Sequence, residues 1–200
     1  MIEKTGMSIR SIFIIFITSF PALSAINADL KIELEEMANA DQSIRNKIRE
    51  IGWKNAQCDL LSQLELIDRK NTEKLKEIID EHSWVTADLV GKSGVSAAFL
   101  IIQHSPDNSF KEKMLPFVKQ SYINNEGVTG QEFALLTDRV LVEQGKAQIY
   151  GTQLRIEKGL LFFEPIKNKS TVDQRRKELG MPPLEEYKEL VESAYGMSVQ

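Results

Sequence analysis

The sequence predicts a mainly α protein, a single-domain helical bundle over residues 29–196 with a small β-hairpin near residues 147–164. Three observations carry that expectation. Apolar residues recur at three-and-four spacing through most of the chain, as one face of an α-helix requires. The stretch Val95-Ser96-Ala97-Ala98-Phe99-Leu100-Ile101-Ile102 is apolar all round, the pattern of a helix buried among others. After Gly145 the period changes to alternation on either side of Lys158-Gly159, which reads as two short strands about a turn.

The first 25 residues read as an address rather than part of the bundle. Ser11 to Phe20 is an apolar run that follows Lys4 and Arg10, breaks at Pro21 and is followed by small residues, Ala22, Ser24 and Ala25. That order is the pattern of a secretory signal peptide, with cleavage expected after Ala25, and Met7 is an alternative start. The run falls short of the ~20 apolar residues that span a bilayer, so no stable membrane span is expected after cleavage. An uncleaved N-terminal anchor is the competing reading. Export predicts a periplasmic or secreted protein.

Composition narrows the class further. Hydrophobic residues make up 42% of the 200 and charged residues 27%, which argues against disorder and against a polytopic membrane protein. With 25 basic and 29 acidic residues the chain lacks the basic excess of a nucleic-acid binder, so no nucleic-acid partner is expected. The single Cys58 cannot form an internal disulfide and is expected as a small core residue.

The elements follow in order. Leu30, Leu34, Met37, Ile44, Ile48 and Ile51 mark a helix from Asp29 to about Gln57. A second helix is expected from Leu60 to Asp68, and a third, capped by Asn71-Thr72, from Glu73 to His82. Gly91 and Gly94 bracket a turn before the buried helix, whose small Ala and Ser residues favour helix over strand. Ser109 to about Asn124 continues as a helix that Pro116 kinks or divides. Gln131 to Gln144 ends at Gly145, the hairpin follows, and Ser170 or Thr171 caps a helix through Leu179. Gly180 and Pro182-Pro183 stop it, and a last helix runs from Leu184 to about Tyr195.

Polar residues in apolar company are the candidate site. His82 and His104 each end a predicted helix, where an imidazole can bond the last carbonyls. Alternatively, the buried helix delivers Gln103 and His104 to an internal cavity for acid–base work. Asp138 and Arg139 lie inside an apolar helix and must pair, reach water or meet a ligand. A structural ion pair is favoured for Asp138, and anion binding suits the fork of Arg139. Gln148, Tyr150 and Thr152 share one strand face, with Gln153 on the other, and Gly151 permits close approach. Asp173 with Arg176 is an i,i+3 pair, and Arg175-Arg176 reads as a solvated face or an anion site. Trp53 and Trp84 are expected in the core.

Taken together, Ala40-Asp41-Gln42 with Arg45, Asn71, His82-Ser83-Trp84, Gln103-His104, Leu136-Thr137-Asp138-Arg139, Gln148, Tyr150-Gly151-Thr152-Gln153, Val172-Asp173 with Arg175-Arg176, and Gly180 with Pro182-Pro183 and Tyr187 resemble a bacterial family of unknown function, DUF6624. The resemblance spans about Asp41 to Tyr187. Ser83 and Val85 stand where that family usually has Gly and Pro around the Trp. The resemblance implies a shared architecture and a shared site; it supplies no substrate.

Two functions are open at this point. One is a hydrolase or group-transfer enzyme acting on a phosphate- or carboxylate-bearing substrate, with His82, His104 and Asp138 as catalytic candidates. Arg139, Gln103, Gln148, Tyr150, Gln153, Arg175 and Arg176 would then hold the substrate, a small molecule or cell-envelope ligand. The chain has no HExxH run, GxSxG elbow, P-loop or GxGxxG motif, so neither a metal nor another cofactor is expected. The other is a non-enzymatic helical binding or interaction module whose polar residues form an internal network.

Overall fold

A computed structural model describes residues 26–200, and the leader expected over residues 1–25 lies outside them. Among the described residues, seven α-helices and one antiparallel strand pair follow in sequence. They are α1 (Ala28–Ile51), α2 (Cys58–His82), α3 (Ala87–His104), α4 (Asn108–Ile123), α5 (Gly130–Glu143), β1 (Leu154–Glu157), β2 (Leu160–Phe163), α6 (Val172–Glu178) and α7 (Leu184–Tyr195). This is the mainly α fold with a small hairpin that the periodicity predicts.

The apolar-all-round stretch is indeed helical, and it organises the bundle. Val95, Ala98, Phe99, Ile101 and Ile102 of α3 are buried, with α1, α2, α4 and α5 packed around them. Leu34, Leu75, Met114 and Leu136 come in from those four neighbours, each fully buried. Burying such a side chain is worth ~1.5–3 kcal/mol, so this shared core supplies the main cohesion of the bundle.

Several boundaries differ from expectation for local reasons. Asn27 caps α1 by accepting from the Leu30 amide at 3.1 Å. The helix ends at Gly52, whose φ of 82° breaks it short of Gln57. A 3-10 turn over Trp53–Asn55 follows, and it carries Trp53 outward, 40% exposed instead of in the core. Trp84 does lie in the core, its indole donating to Ser121 Oγ at 2.9 Å. The two helices expected around Asn71-Thr72 are one helix, α2. The Thr72 hydroxyl donates to the Asp68 carbonyl within the helix, and Asn71 donates across to the Met37 carbonyl of α1, so neither acts as a cap. Cys58 opens α2 on the surface, exposed rather than packed. Gly91, at φ 70° and ψ 166°, is non-helical and kinks α3 where a turn is expected, separating its first turn from the buried stretch, whereas Gly94 lies within the helix. Helix α4 runs through Pro116 undivided.

The largest departure is the segment before the hairpin. Residues 147–153 form no strand beyond a single bridge between Gln148 and Ile166. The hairpin proper pairs Leu154 with Phe163 and Ile156 with Leu161. Its turn residues Lys158 and Gly159 both have positive φ, as a two-residue turn between twisted strands requires. Leu161, Val191, Met197 and Val199 form a second, smaller core between the hairpin, α7 and the chain end. Among the described residues no helix is long and apolar enough to cross a membrane.

Candidate functional site

A cleft of about 760 Å³ opens between α1, α3, α5 and α7, and its walls mix charged and polar side chains with Leu100, Trp53, Ala194 and Tyr195. Gln42, Arg45 and Arg49 come from α1, His104 from the end of α3, Arg139 from α5 and Tyr195 from the end of α7, with Trp53 at its edge. The apolar faces of these helices are committed to the core, so the residues at their margins meet here.

His104 is fixed in this cleft by Asp41. Its Nδ1 lies 2.8 Å from Oδ1 and 3.0 Å from Oδ2 of that carboxylate. A carboxylate only accepts, so Nδ1 carries a proton and donates it, which leaves Nε2 as the nitrogen available to another group. No described residue bonds Nε2. Asp41 is 1% exposed and is itself held: Arg45 donates Nη1 to Oδ1 at 2.6 Å, and Gln42 donates to Oδ2 at 2.8 Å. Burial pushes the Asp41 carboxyl up, but the His104 hydrogen bond and charge, with Arg45 and Gln42, outweigh it and hold the carboxyl below its ordinary value. Arg45 also makes a two-pronged bond to Asp68 of α2, at 2.9 Å on each side. Burial raises Asp68 despite that partner.

Arg139 is the contrasting cation. Its guanidinium has no carboxylate within 4 Å among the described residues, and burial lowers its pKa, though an arginine stays charged. The side-chain amide of Gln103, buried on α3, lies against it; because a guanidinium only donates, the amide oxygen is assigned to that side, where it accepts from Nε at 2.9 Å and Nη2 at 3.2 Å. One edge of the fork is thereby anchored, while the rest faces the cleft. Arg49 likewise meets no carboxylate among the described residues, bonding only Asn46.

A second compartment of about 360 Å³ adjoins the first and shares Trp53, Arg139 and Tyr195 with it. Its other walls are mostly apolar, with Leu135 of α5, Leu154, Ile156 and Leu161 of the hairpin, and Tyr187 and Val191 of α7. Gln153 and Thr152 line its polar side, Gln153 donating to Thr152 Oγ1 and to the Leu135 carbonyl.

The structure places the remaining predicted residues outside the cleft. Among the described residues Asp138 has no ion-pair partner: it is fully buried, and segment 149–152 folds around its carboxylate. Oδ1 accepts from the Ile149 and Tyr150 amides at 2.7 and 3.0 Å, and Oδ2 from the Thr152 amide and hydroxyl, both at 3.0 Å. Burial pushes this carboxyl up, opposed by those donors. Gln148, 0% exposed, bonds only backbone: it donates to the Gln153 and Glu164 carbonyls and accepts from the Gln153 amide. Tyr150 packs its ring edge-on to Phe133, and burial raises its phenol.

Arg175 and Arg176 are carbonyl clamps, not a solvated face. Arg175 donates to the Ile149 and Lys167 carbonyls and to Thr171 Oγ1. Arg176, fully buried, donates to the Pro182 and Tyr150 carbonyls and lies 4.8 Å over the Tyr187 ring. Asp173 bonds the Leu184 amide in place of the expected Arg176 pair. His82 ends α2 beside Glu81 and lines neither compartment.

Of the predicted site residues, then, His104, Arg139 and Gln153 line the paired compartments, and Gln103 is buried against Arg139. Asp41 and Arg45 stand in the family motif among the polar residues expected to converge; Asp68, Arg49 and Tyr195 lie outside it. A signal for Asp41 existed. Along α1 the inward series Leu30, Leu34, Met37, Ile44, Ile48 skips one seat, and Asp41 fills it. A carboxylate in a core seam demands a partner.

Among the described residues no three His, Cys, Asp or Glu side chains gather as a metal site would need. No curated protein and no solved structure matches the chain. The sequence model of one family, described as a family of unknown function, matches residues 28–200, from the first turn of α1 to the last residue. The chain that builds the Asp41–His104 pair and the Asp138 knot therefore belongs to the DUF6624 family.

Proposed function

We propose that the protein is a hydrolase or group-transfer enzyme acting on a phosphate- or carboxylate-bearing substrate in the polar cleft. The observation that carries this reading is the Asp41–His104 pair, which leaves Nε2 available in a cleft also lined by Arg139, a guanidinium with no carboxylate partner among the described residues. In a hydrolysis, Nε2 takes a proton from water as the oxygen attacks the phosphoryl or acyl centre. The bond to the leaving group breaks, and the imidazolium returns that proton to the departing oxygen. Asp41 is a positioning residue: it fixes the ring tautomer and stabilises the charge that forms on it. Arg139 and Arg49 neutralise the substrate's anion, and Gln103 sets the orientation of Arg139. The apolar run in residues 1–25 supports export, with a small-molecule or cell-envelope ligand as substrate.

The test is hydrolysis of a panel of chromogenic phosphate and carboxylate esters by wild type and His104→Gln, with thermal unfolding of both. Turnover of at least one ester class is expected in the wild type, falling about 10²–10⁴-fold in His104→Gln with the melting temperature little changed. No turnover across the panel, or turnover that survives the substitution, sinks the reading.

A second reading, a non-enzymatic module with a structural polar network, draws on a different observation. Asp138, Gln148, Arg175 and Arg176 spend most of their hydrogen bonds on the backbone around residues 148–182. It predicts that His104→Gln lowers the melting temperature and changes no activity.

A further inference from the structure

The two compartments differ in chemistry and meet at a single cation. On the polar side stand His104, Arg45 and Arg49; on the other stand the side chains of Leu135, Leu154, Ile156, Leu161 and Val191. Arg139 belongs to both walls, and Trp53 and Tyr195 flank it in both. The apolar wall is a built surface. Leu154 and Ile156 lie two apart on β1 and so share one face of the strand, and register pairs Ile156 with Leu161 across the hairpin. That face leans on α7 through Leu161 and Val191 in the smaller core, which keeps it rigid.

Yet the wall is not closed. Ile156 is 56% exposed, Tyr195 49% and Trp53 40%, so large apolar side chains stand in solvent around a concave space next to a charge. Pockets for small molecules have this make-up, mostly apolar walls with a few placed polar groups. A purely inorganic anion uses only the polar side and leaves the apolar side wet.

We infer that the ligand is amphiphilic: an anionic head, phosphate or carboxylate, seated at Arg139 and directed toward His104, with an aliphatic or aromatic body lying in the apolar compartment against Leu154, Ile156 and Val191. This rests on the polar cleft being the reacting site, and it adds the chemical class of the substrate. Arg139 sets the register, because a head bound there puts reacting atoms on the His104 side and carbon on the hairpin side. The about 360 Å³ of the apolar side sets the size, that of a medium-length chain or a ring system rather than a whole bilayer lipid.

The experiment measures binding of n-alkylphosphonates and n-alkanoates, from two to ten carbons, below their micelle concentrations, to the leader-free protein. Trp53 fluorescence and calorimetry provide the readouts, with Trp53→Phe separating its signal from that of Trp84. Affinity is expected to rise about two- to fourfold per methylene until the compartment is filled, and then level off. Ile156→Glu, on the exposed face of the hairpin, is expected to flatten that slope, with circular dichroism confirming an unchanged fold. Arg139→Gln is expected to weaken all heads at least tenfold. Affinity independent of chain length, or binding seen only above the micelle concentration, overturns the inference and leaves the enzyme reading standing. A chain-length slope accompanied by His104-independent turnover removes the enzyme reading and leaves the paired compartments as a binding site for an anionic amphiphile that is not a substrate there.

Discussion

Nδ1 of His104, the last residue of α3, lies 2.8 Å from Oδ1 of Asp41, a carboxylate in the middle of α1 whose neighbours on the same seam are core residues. Asp41 is 1% exposed and His104 lines the cleft, so the pair connects the interior of the bundle to the cleft between α1, α3, α5 and α7. The bond serves both stability and chemistry. It satisfies a charge that would otherwise be costly to bury, and it leaves Nε2 as the free nitrogen.

The pair makes acid stability a readout of Asp41. Its carboxyl is held below the ordinary value in the folded protein, so its contribution is fully present above the unfolded-state pKa and is lost as pH falls through the folded one. Asp68, raised by burial, moves stability in the opposite sense over the acid range, so the comparison must isolate Asp41. At pH 7 Asp41→Asn is expected to cost about 3 kcal/mol in urea unfolding, because it leaves Arg45 and His104 short of a buried partner. That gap should narrow as the pH is taken below about 4. A gap that stays constant down to pH 2.5 would show that the Asp41 charge contributes nothing.

Asp138 should behave as a fold determinant. Asp138→Ala strands the amides of Ile149, Tyr150 and Thr152 without acceptors, each costing ~1–3 kcal/mol if it stays buried. A total loss of about 3–5 kcal/mol is expected, with residues 147–153 losing amide-exchange protection before the helices do. A loss under about 1 kcal/mol would mean the segment holds its shape without the carboxylate.

Gly151 is the backbone hinge of the same knot, at φ 72°. A Cβ there would sit 2.8 Å from Leu184 Cδ1 and 3.1 Å from Ile166 Cδ1. Gly151→Ala is therefore expected to lower stability by about 2 kcal/mol through left-handed strain and crowding together. Thermal unfolding checks it, and an unchanged midpoint refutes it.

Arg175 offers a test of fork geometry. It bonds the Ile149 carbonyl at 2.9 Å, the Lys167 carbonyl at 2.6 Å and Thr171 Oγ1 at 2.6 Å. A lysine keeps the charge but cannot reach all three, so Arg175→Lys should cost about 1–2 kcal/mol. If lysine matches arginine in denaturant midpoint, charge alone suffices and the clamp is unimportant.

The sequence by itself determined the helical class, the buried α3, the span of α7 and the Lys158-Gly159 turn. Each depends on local periodicity or turn chemistry, which neighbouring residues dictate. It also marked most of the polar residues that matter, because a charge or amide in apolar company stands out. Only the tertiary structure decided what each does. Asp138 and Arg139 are adjacent on α5, yet one is turned inward to tie a loop and the other lines the cleft. Periodicity could not foresee that residues 147–153 would abandon strand pairing, since the Asp138 carboxylate that competes for their amides arrives from another helix. Nor could it join Asp41 to His104, 63 residues apart, because that contact exists only once α1 and α3 have packed.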